Sequence, residues 1–242
     1  MDNLLEVREI EVRYGRTRAV SNVSFDVASG TLCALLGANG AGKTTTLRSI
    51  SGLLPPSRGS IHFHGQVISG LAPHLIARRG VAHVPEGRGL LPTISVAENL
   101  KIGLLGSKQS ETEAIERVLG YFPQLRERQR QEAGLLSGGE QQMLSIARAL
   151  LKKPKLLMVD EMSLGLAPKV VEQLMEVLLE LTRSGLAVLC VEQNTKLILR
   201  YASYGYVLET GRTVTEGPAS TLAADPKIVE AYLGRRGNAV SG

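Results

Sequence analysis

Gly37-Ala38-Asn39-Gly40-Ala41-Gly42-Lys43-Thr44 is the stretch on which the fold turns. It fits G-x-x-x-x-G-K-[ST], a loop whose backbone N–H groups point inward at phosphate oxygens. A side chain at its glycines would block that approach. Lys43 supplies positive charge for β- and γ-phosphates, and the Thr44 hydroxyl is a hard oxygen ligand suited to Mg²⁺. Just before the loop, Thr31-Leu32-Cys33-Ala34-Leu35-Leu36 is a short apolar run, as a buried strand requires. After it, Thr45-Thr46-Leu47-Arg48-Ser49-Ile50 can continue as a helix whose positive dipole end faces the anion. Strand, glycine loop and helix are the arrangement the motif needs.

A second glycine motif, Leu136-Ser137-Gly138-Gly139-Glu140-Gln141, also reads as an anion site. Ser137 can cap the following helix, and Gly138 and Gly139 leave backbone N–H groups exposed at its N-terminus. The helix continues to Leu151 with apolar residues at helical spacing. Beyond it, Leu156-Leu157-Met158-Val159-Asp160-Glu161 is an apolar strand that ends in two carboxylates. A carboxylate at the C-terminal end of a parallel strand lies by the ligand crevice.

The flanking regions fill in the architecture. Residues 4–28 alternate apolar and polar with a turn at Tyr14-Gly15, which predicts strands with one solvated face. Ile61-His62-Phe63-His64-Gly65 predicts a short strand ending in a turn, with both histidines on its exposed face. From Leu90 to Leu151 the pattern becomes helical. Ser110-Glu111-Thr112-Glu113 predicts a capping box, with Ala114, Ile115, Val118, Leu119 and Phe122 as one apolar stripe behind it. Leu125–Glu132 is highly charged and predicts a solvated helix or loop. Val170–Leu181 is amphipathic, Ala187-Val188-Leu189-Cys190-Val191 reads as a buried parallel strand, and Tyr206–Val214 as a hairpin turning at Gly211.

Composition narrows the class. The chain has 242 residues and 43% hydrophobic content, enough for one sizeable core. It has no apolar run long enough to span a bilayer. Asp2, Glu6 and Glu9 stand where a secretory signal would be basic and then apolar, so none is expected. Cys33 and Cys190 lie in apolar strands and read as reduced core thiols. The net charge of +5 is scattered and Trp is absent, so a nucleic-acid surface is not expected.

Together these motifs resemble the ATP-binding cassette family over almost the whole chain. The resemblance implies an α/β fold: a P-loop NTPase (RecA-like) core, an antiparallel β subdomain and a helical subdomain at residues 88–152, within one domain spanning 1–242. It implies ATP and Mg²⁺ as ligands. Tyr14 falls where the family has an aromatic residue stacked on adenine. Gly37, Ala38, Asn39, Gly40, Ala41, Gly42, Lys43, Thr44 and Thr45 would hold the phosphates. Thr44 and Asp160 would hold Mg²⁺, and Glu161 resembles the family's general base. By the same analogy, two cassettes sandwich two nucleotides, and Ser137, Gly138 and Gly139 of one chain complete the site of the other.

Three positions depart from the usual family pattern. Glu86 stands where a glutamine contacts Mg²⁺ and the water. Gln193 stands where a histidine contacts the γ-phosphate. Ala167 stands where an aspartate ends the interface loop. With Pro85-Glu86-Gly87-Arg88, Ser163–Pro168, Glu192-Gln193-Asn194 and Glu230-Ala231-Tyr232-Leu233-Gly234, these departures resemble one subgroup, the second ATP-binding subunit of branched-chain amino-acid importers. Urea and short-chain amide importers are similar. A soluble, non-transport ABC ATPase and a non-catalytic regulatory cassette are the alternatives outside import. The resemblance implies a second ABC subunit, as a heterodimer or a homodimer, and two transmembrane permease subunits, with Gly87–Pro92 the candidate contact to them. It also implies an extracytoplasmic solute-binding protein acting indirectly, no nucleic acid, and a peripheral place on the cytoplasmic face of the inner membrane.

Overall fold

The computed structural model describes residues 3–228. Its strands are β1 (Asn3–Tyr14), β2 (Thr17–Ala28), β3 (Leu32–Leu36), β4 (Arg58–Phe63), β5 (Gln66–Val67), β6 (Val81–Val84), β7 (Leu156–Asp160), β8 (Ala187–Glu192), β9 (Tyr204–Glu209) and β10 (Arg212–Pro218). They form one sheet in the order β5-β4-β1-β2-β10-β9-β3-β8-β7-β6. The β9–β3–β8–β7–β6 half is parallel, and β5, β4, β1 and β2 are antiparallel. A parallel bridge from Arg212 to Asn22 joins the halves, through the β9–β10 hairpin.

Alternation explains which runs are wholly apolar. Leu32, Ala34 and Leu36 point into one core and Cys33 and Leu35 into the other, so every residue of β3 is buried. A strand covered on both faces has no polar side. The first six described α-helices are α1 (Lys43–Ile50), α2 (Pro73–Arg78), α3 (Val96–Gly103), α4 (Glu111–Tyr121), α5 (Gly138–Leu150) and α6 (Pro168–Arg183). α3 to α6 pack on one face around Phe122, Leu144 and Leu178. On the other face, α1 and α2 pack with the antiparallel strands around Leu47, Ile50, Ile61 and Ile76.

Both cysteines are free and buried, on neighbouring strands. At α4 only the serine half of the expected capping box forms, with Ser110 Oγ accepting from Glu113 N at 3.4 Å. Ser110 has ψ 123°, against 162° at Ser95 and 158° at Ser137, so its own N–H is swung off the first turn. Complete boxes form at Ser95–Glu98 and Ser137–Glu140 instead. Within the charged Leu125–Glu132 segment, Leu125 itself is buried, while Arg126 pairs with Glu116 and Arg128 with Glu140. The Glu230–Gly234 motif lies outside the described residues.

Candidate active site

The end of β3 delivers Gly37, and α1 begins at Lys43 behind an N-cap glycine, Gly42, at φ 100°. The glycines answer to packing as well as to a phosphate. A Cβ at Gly37 would stand 2.4 Å from Leu208 O, and one at Gly42 2.9 Å from Ala19 O. Gly40 faces open space. The Lys43 ammonium donates to Gly37 O at 2.9 Å and Ala38 O at 3.2 Å, and lies 3.7 Å from Glu161 Oε1. An open cleft of about 420 Å³ is lined by Asn39, Gly40, Gly42, Lys43, Thr44 and Thr45 together with Glu86, Glu161 and Gln193. Gly37, Ala38 and Ala41 shape the loop without lining the cleft.

The carboxylates come from the tips of neighbouring strands. Asp160 ends β7 almost wholly buried, and neither of its oxygens has a hydrogen-bond partner. Burial raises its pKa, opposed by the Thr44 hydroxyl; the Glu161 and Glu86 charges raise it further, and Lys43 opposes. A buried, unpartnered carboxylate beside a threonine hydroxyl and a phosphate loop is a donor set that fits Mg²⁺, which needs only one or two carboxylates besides phosphate oxygens and water. Glu161 has left-handed backbone at φ 51°, and its N–H donates to Val191 O at 2.9 Å. Such a conformation is uncommon for a residue with a side chain and belongs to over-determined sites. Gln193 follows β8, and Glu86 follows β6; both are exposed into the cleft.

The second motif lies elsewhere. Ser137 caps α5, its Oγ accepting from Glu140 N at 3.3 Å while Glu140 Oε2 accepts from Ser137 N at 2.9 Å. A Cβ at Gly139 would stand 2.7 Å from Val170 Cγ1, and one at Gly138 3.2 Å from Arg88 Nη2. Ser137, Gly138 and Gly139 do not line this chain's cleft. Tyr14 also stands off it, exposed, with its hydroxyl accepting from Arg48 Nη1 at 3.2 Å.

Two contacts were not anticipated from the sequence. Arg88 bridges the Glu86 turn to α5, with Nη1 donating to Gln141 Oε1 at 2.6 Å and its carbonyl accepting from Ser145 Oγ at 2.5 Å. Glu192 is buried against Ser163, near Glu161. The available signal was a charged residue closing an apolar strand, the same signal that singles out Asp160. A second groove of about 290 Å³ includes Glu86, Gly87, Arg88, Leu90 and Pro92, so Glu86 borders both openings.

A phosphate loop after a buried parallel strand, with two carboxylates at the tip of a strand one place removed, defines a P-loop nucleotide-binding cassette. The ABC transporter family profile matches residues 20–163, and the chain belongs to that family. It is 43% identical to the high-affinity branched-chain amino acid transport ATP-binding protein BraG of Pseudomonas aeruginosa, over 96% of this chain and 100% of that protein. It is 34% identical to the probable branched-chain amino acid transport ATP-binding protein LivF of Archaeoglobus fulgidus, over 96% of this chain and 99% of that one. The fold superposes with a TM-score of 0.88, at 28% identity, on the ADP conformation of an ATP-binding cassette of an ABC transporter, covering 97% of this chain and 100% of that one.

Proposed function

We propose that this chain is the ATP-hydrolysing subunit of an ABC importer, and that the imported solute is a branched-chain amino acid. The observation that carries the catalytic part is the meeting of Lys43 and Glu161 at one cleft, with the unpartnered Asp160 buried beside them. The solute class rests on the likeness to BraG and LivF.

The loop amides from Gly37 to Thr44 hold the phosphates, and Lys43 exchanges its carbonyl partners for the β- and γ-phosphate oxygens. Asp160 and Thr44 would hold Mg²⁺, which would supply positive charge to the phosphates. Glu161 accepts the proton of the attacking water, in line with the bond to the leaving ADP. Gln193 donates a neutral hydrogen bond near the γ-phosphate, and Glu86 borders the water. Tyr14 offers its ring to the adenine.

Ser137, Gly138 and Gly139 sit off this cleft, so a second cassette is needed to cover the γ-phosphate. Gln193 is neutral and Glu86 adds negative charge, which together weaken transition-state stabilisation on this side. The assembly is therefore a heterodimer, in which this chain's Ser137–Gly139 completes the faster site of its partner. No described helix is long and apolar enough to cross a membrane. Two separate permease subunits supply the path, docking at the groove of Gly87–Pro92, and the chain works at the cytoplasmic face. A solute-binding protein delivers the amino acid from outside.

The test is uptake into vesicles that contain the permease subunits, the partner cassette and this chain, with internal ATP and the solute-binding protein outside. Leucine should accumulate with ATP and stay out without it. Uptake of urea or acetamide with no uptake of leucine would contradict the assigned solute.

A further inference from the structure

Glu192 closes β8 with no surface exposed to solvent. A buried carboxylate requires hydrogen-bond partners, and Ser163 supplies two. Ser163 N donates to Glu192 Oε1 at 2.8 Å, and Ser163 Oγ donates to Oε2 at 2.6 Å. Ser163 stands two residues beyond Glu161, in the loop between β7 and α6. The Glu161 N–H is held by Val191 O, one residue before Glu192. Val191 and Glu192 thus grip both ends of the Glu161–Ser163 segment, and the next residue, Gln193, lines the cleft. A left-handed glutamate persists only where its surroundings over-determine it, and this double grip does so.

We propose that Glu192 is a positioning residue. Its carboxyl clamps Ser163, which fixes the Glu161 carboxylate over the cleft and locks the Ser163–Ala167 loop to the strand that carries Gln193. The proposal rests on the reading of Glu161 as general base. The clamp does not require a charge. Burial pushes the Glu192 pKa up to about 7, against the opposing Ser163 bonds. A neutral carboxyl keeps the Ser163 N–H on one oxygen and turns its own O–H toward Ser163 Oγ. Glutamine offers the same acceptor and donor in the same shape. Alanine offers neither.

The experiment uses the full chain assembled with its partner cassette, whose own nucleotide site is inactivated, with Mg²⁺ and ATP, and reads steady-state turnover and amide hydrogen exchange of residues 161–167. Glu192→Ala should speed exchange in that segment about 10-fold or more and lower kcat about 10- to 100-fold, with KM within about twofold. Glu192→Gln should stay within about threefold of the parent in both readouts. Ser163→Ala should lower kcat and speed exchange in the same direction, and adding Glu192→Ala to it should cost little more, because the two residues act as a unit. Parent-like exchange and kcat in Glu192→Ala, or equal damage from Glu192→Gln, would overturn the clamp. A parent assembly without turnover, or a Glu161→Gln variant that keeps it, would contradict the functional reading instead, and the exchange data would still decide the clamp.

Discussion

Lys43 and Glu161 face each other at 3.7 Å, both nearly closed off from water. The ammonium is also held by the carbonyls of Gly37 and Ala38. One lysine thus joins the phosphate loop to the residue after β7, and in the proposed function an entering triphosphate would take over its bonds. Leaving a buried phosphate charge without its partner typically costs about 2–5 kcal/mol. Lys43→Ala should therefore weaken Mg²⁺-ATP binding roughly 30-fold or more, read by equilibrium titration with a fluorescent ATP analogue. Parent-like affinity would remove Lys43 from the phosphate cradle.

The raised pKa of Glu192 sets a pH dependence of stability. Its folded value is about 7, against 4.5 for the free group. The stabilising contribution is fully present below about pH 4.5 and is lost as pH rises through about 7. The difference corresponds to about 3 kcal/mol at most. Glu192→Gln stays neutral throughout, so its melting temperature should rise relative to the parent at pH 8 and match it more closely at pH 5. Thermal unfolding at the two pH values checks this; an equal offset at both would place the titration elsewhere.

The proposed asymmetry between two nucleotide sites has its own consequence. Ser137 and Glu140 form a complete capping box at the head of α5, outside this chain's own cleft. Ser137→Arg would fill the anion-binding face that the proposed assembly offers to the partner's nucleotide. Gln193→Ala would remove the neutral hydrogen bond proposed for the γ-phosphate in this chain's cleft. In the reconstituted transporter, Ser137→Arg should reduce ATPase activity more than Gln193→Ala. Abolished turnover with Gln193→Ala and normal turnover with Ser137→Arg would contradict the asymmetric assembly.

The phosphate loop, both strand-end carboxylates and the core strands were legible because each is a local pattern. Leu32–Leu36 and Leu156–Asp160 are apolar throughout, and the loop residues follow one another in the chain. What escaped depends on strand order. Ser163 meets Glu192 only because β7 and β8 are neighbours, and Arg88 meets Gln141 only because α5 folds back over the Glu86 turn. Gly37 looked like a requirement of the phosphate, yet its backbone neighbour Leu208 comes from β9, far along the chain. The capping box at Ser110 fits by sequence and half forms, because backbone dihedrals decide whether the glutamate can reach back.

The most direct test of the account is ATP turnover at this chain's own cleft with Glu161→Gln, in the assembly with a partner cassette whose own site is inactivated. The substitution keeps the shape of the side chain and removes its basicity. Affinity for Mg²⁺-ATP should stay near that of the parent, while kcat should fall by about two to four orders of magnitude. Unchanged turnover at saturating ATP would contradict the account, and would move the water-activating role to another group at the cleft, with Glu86 the first to examine.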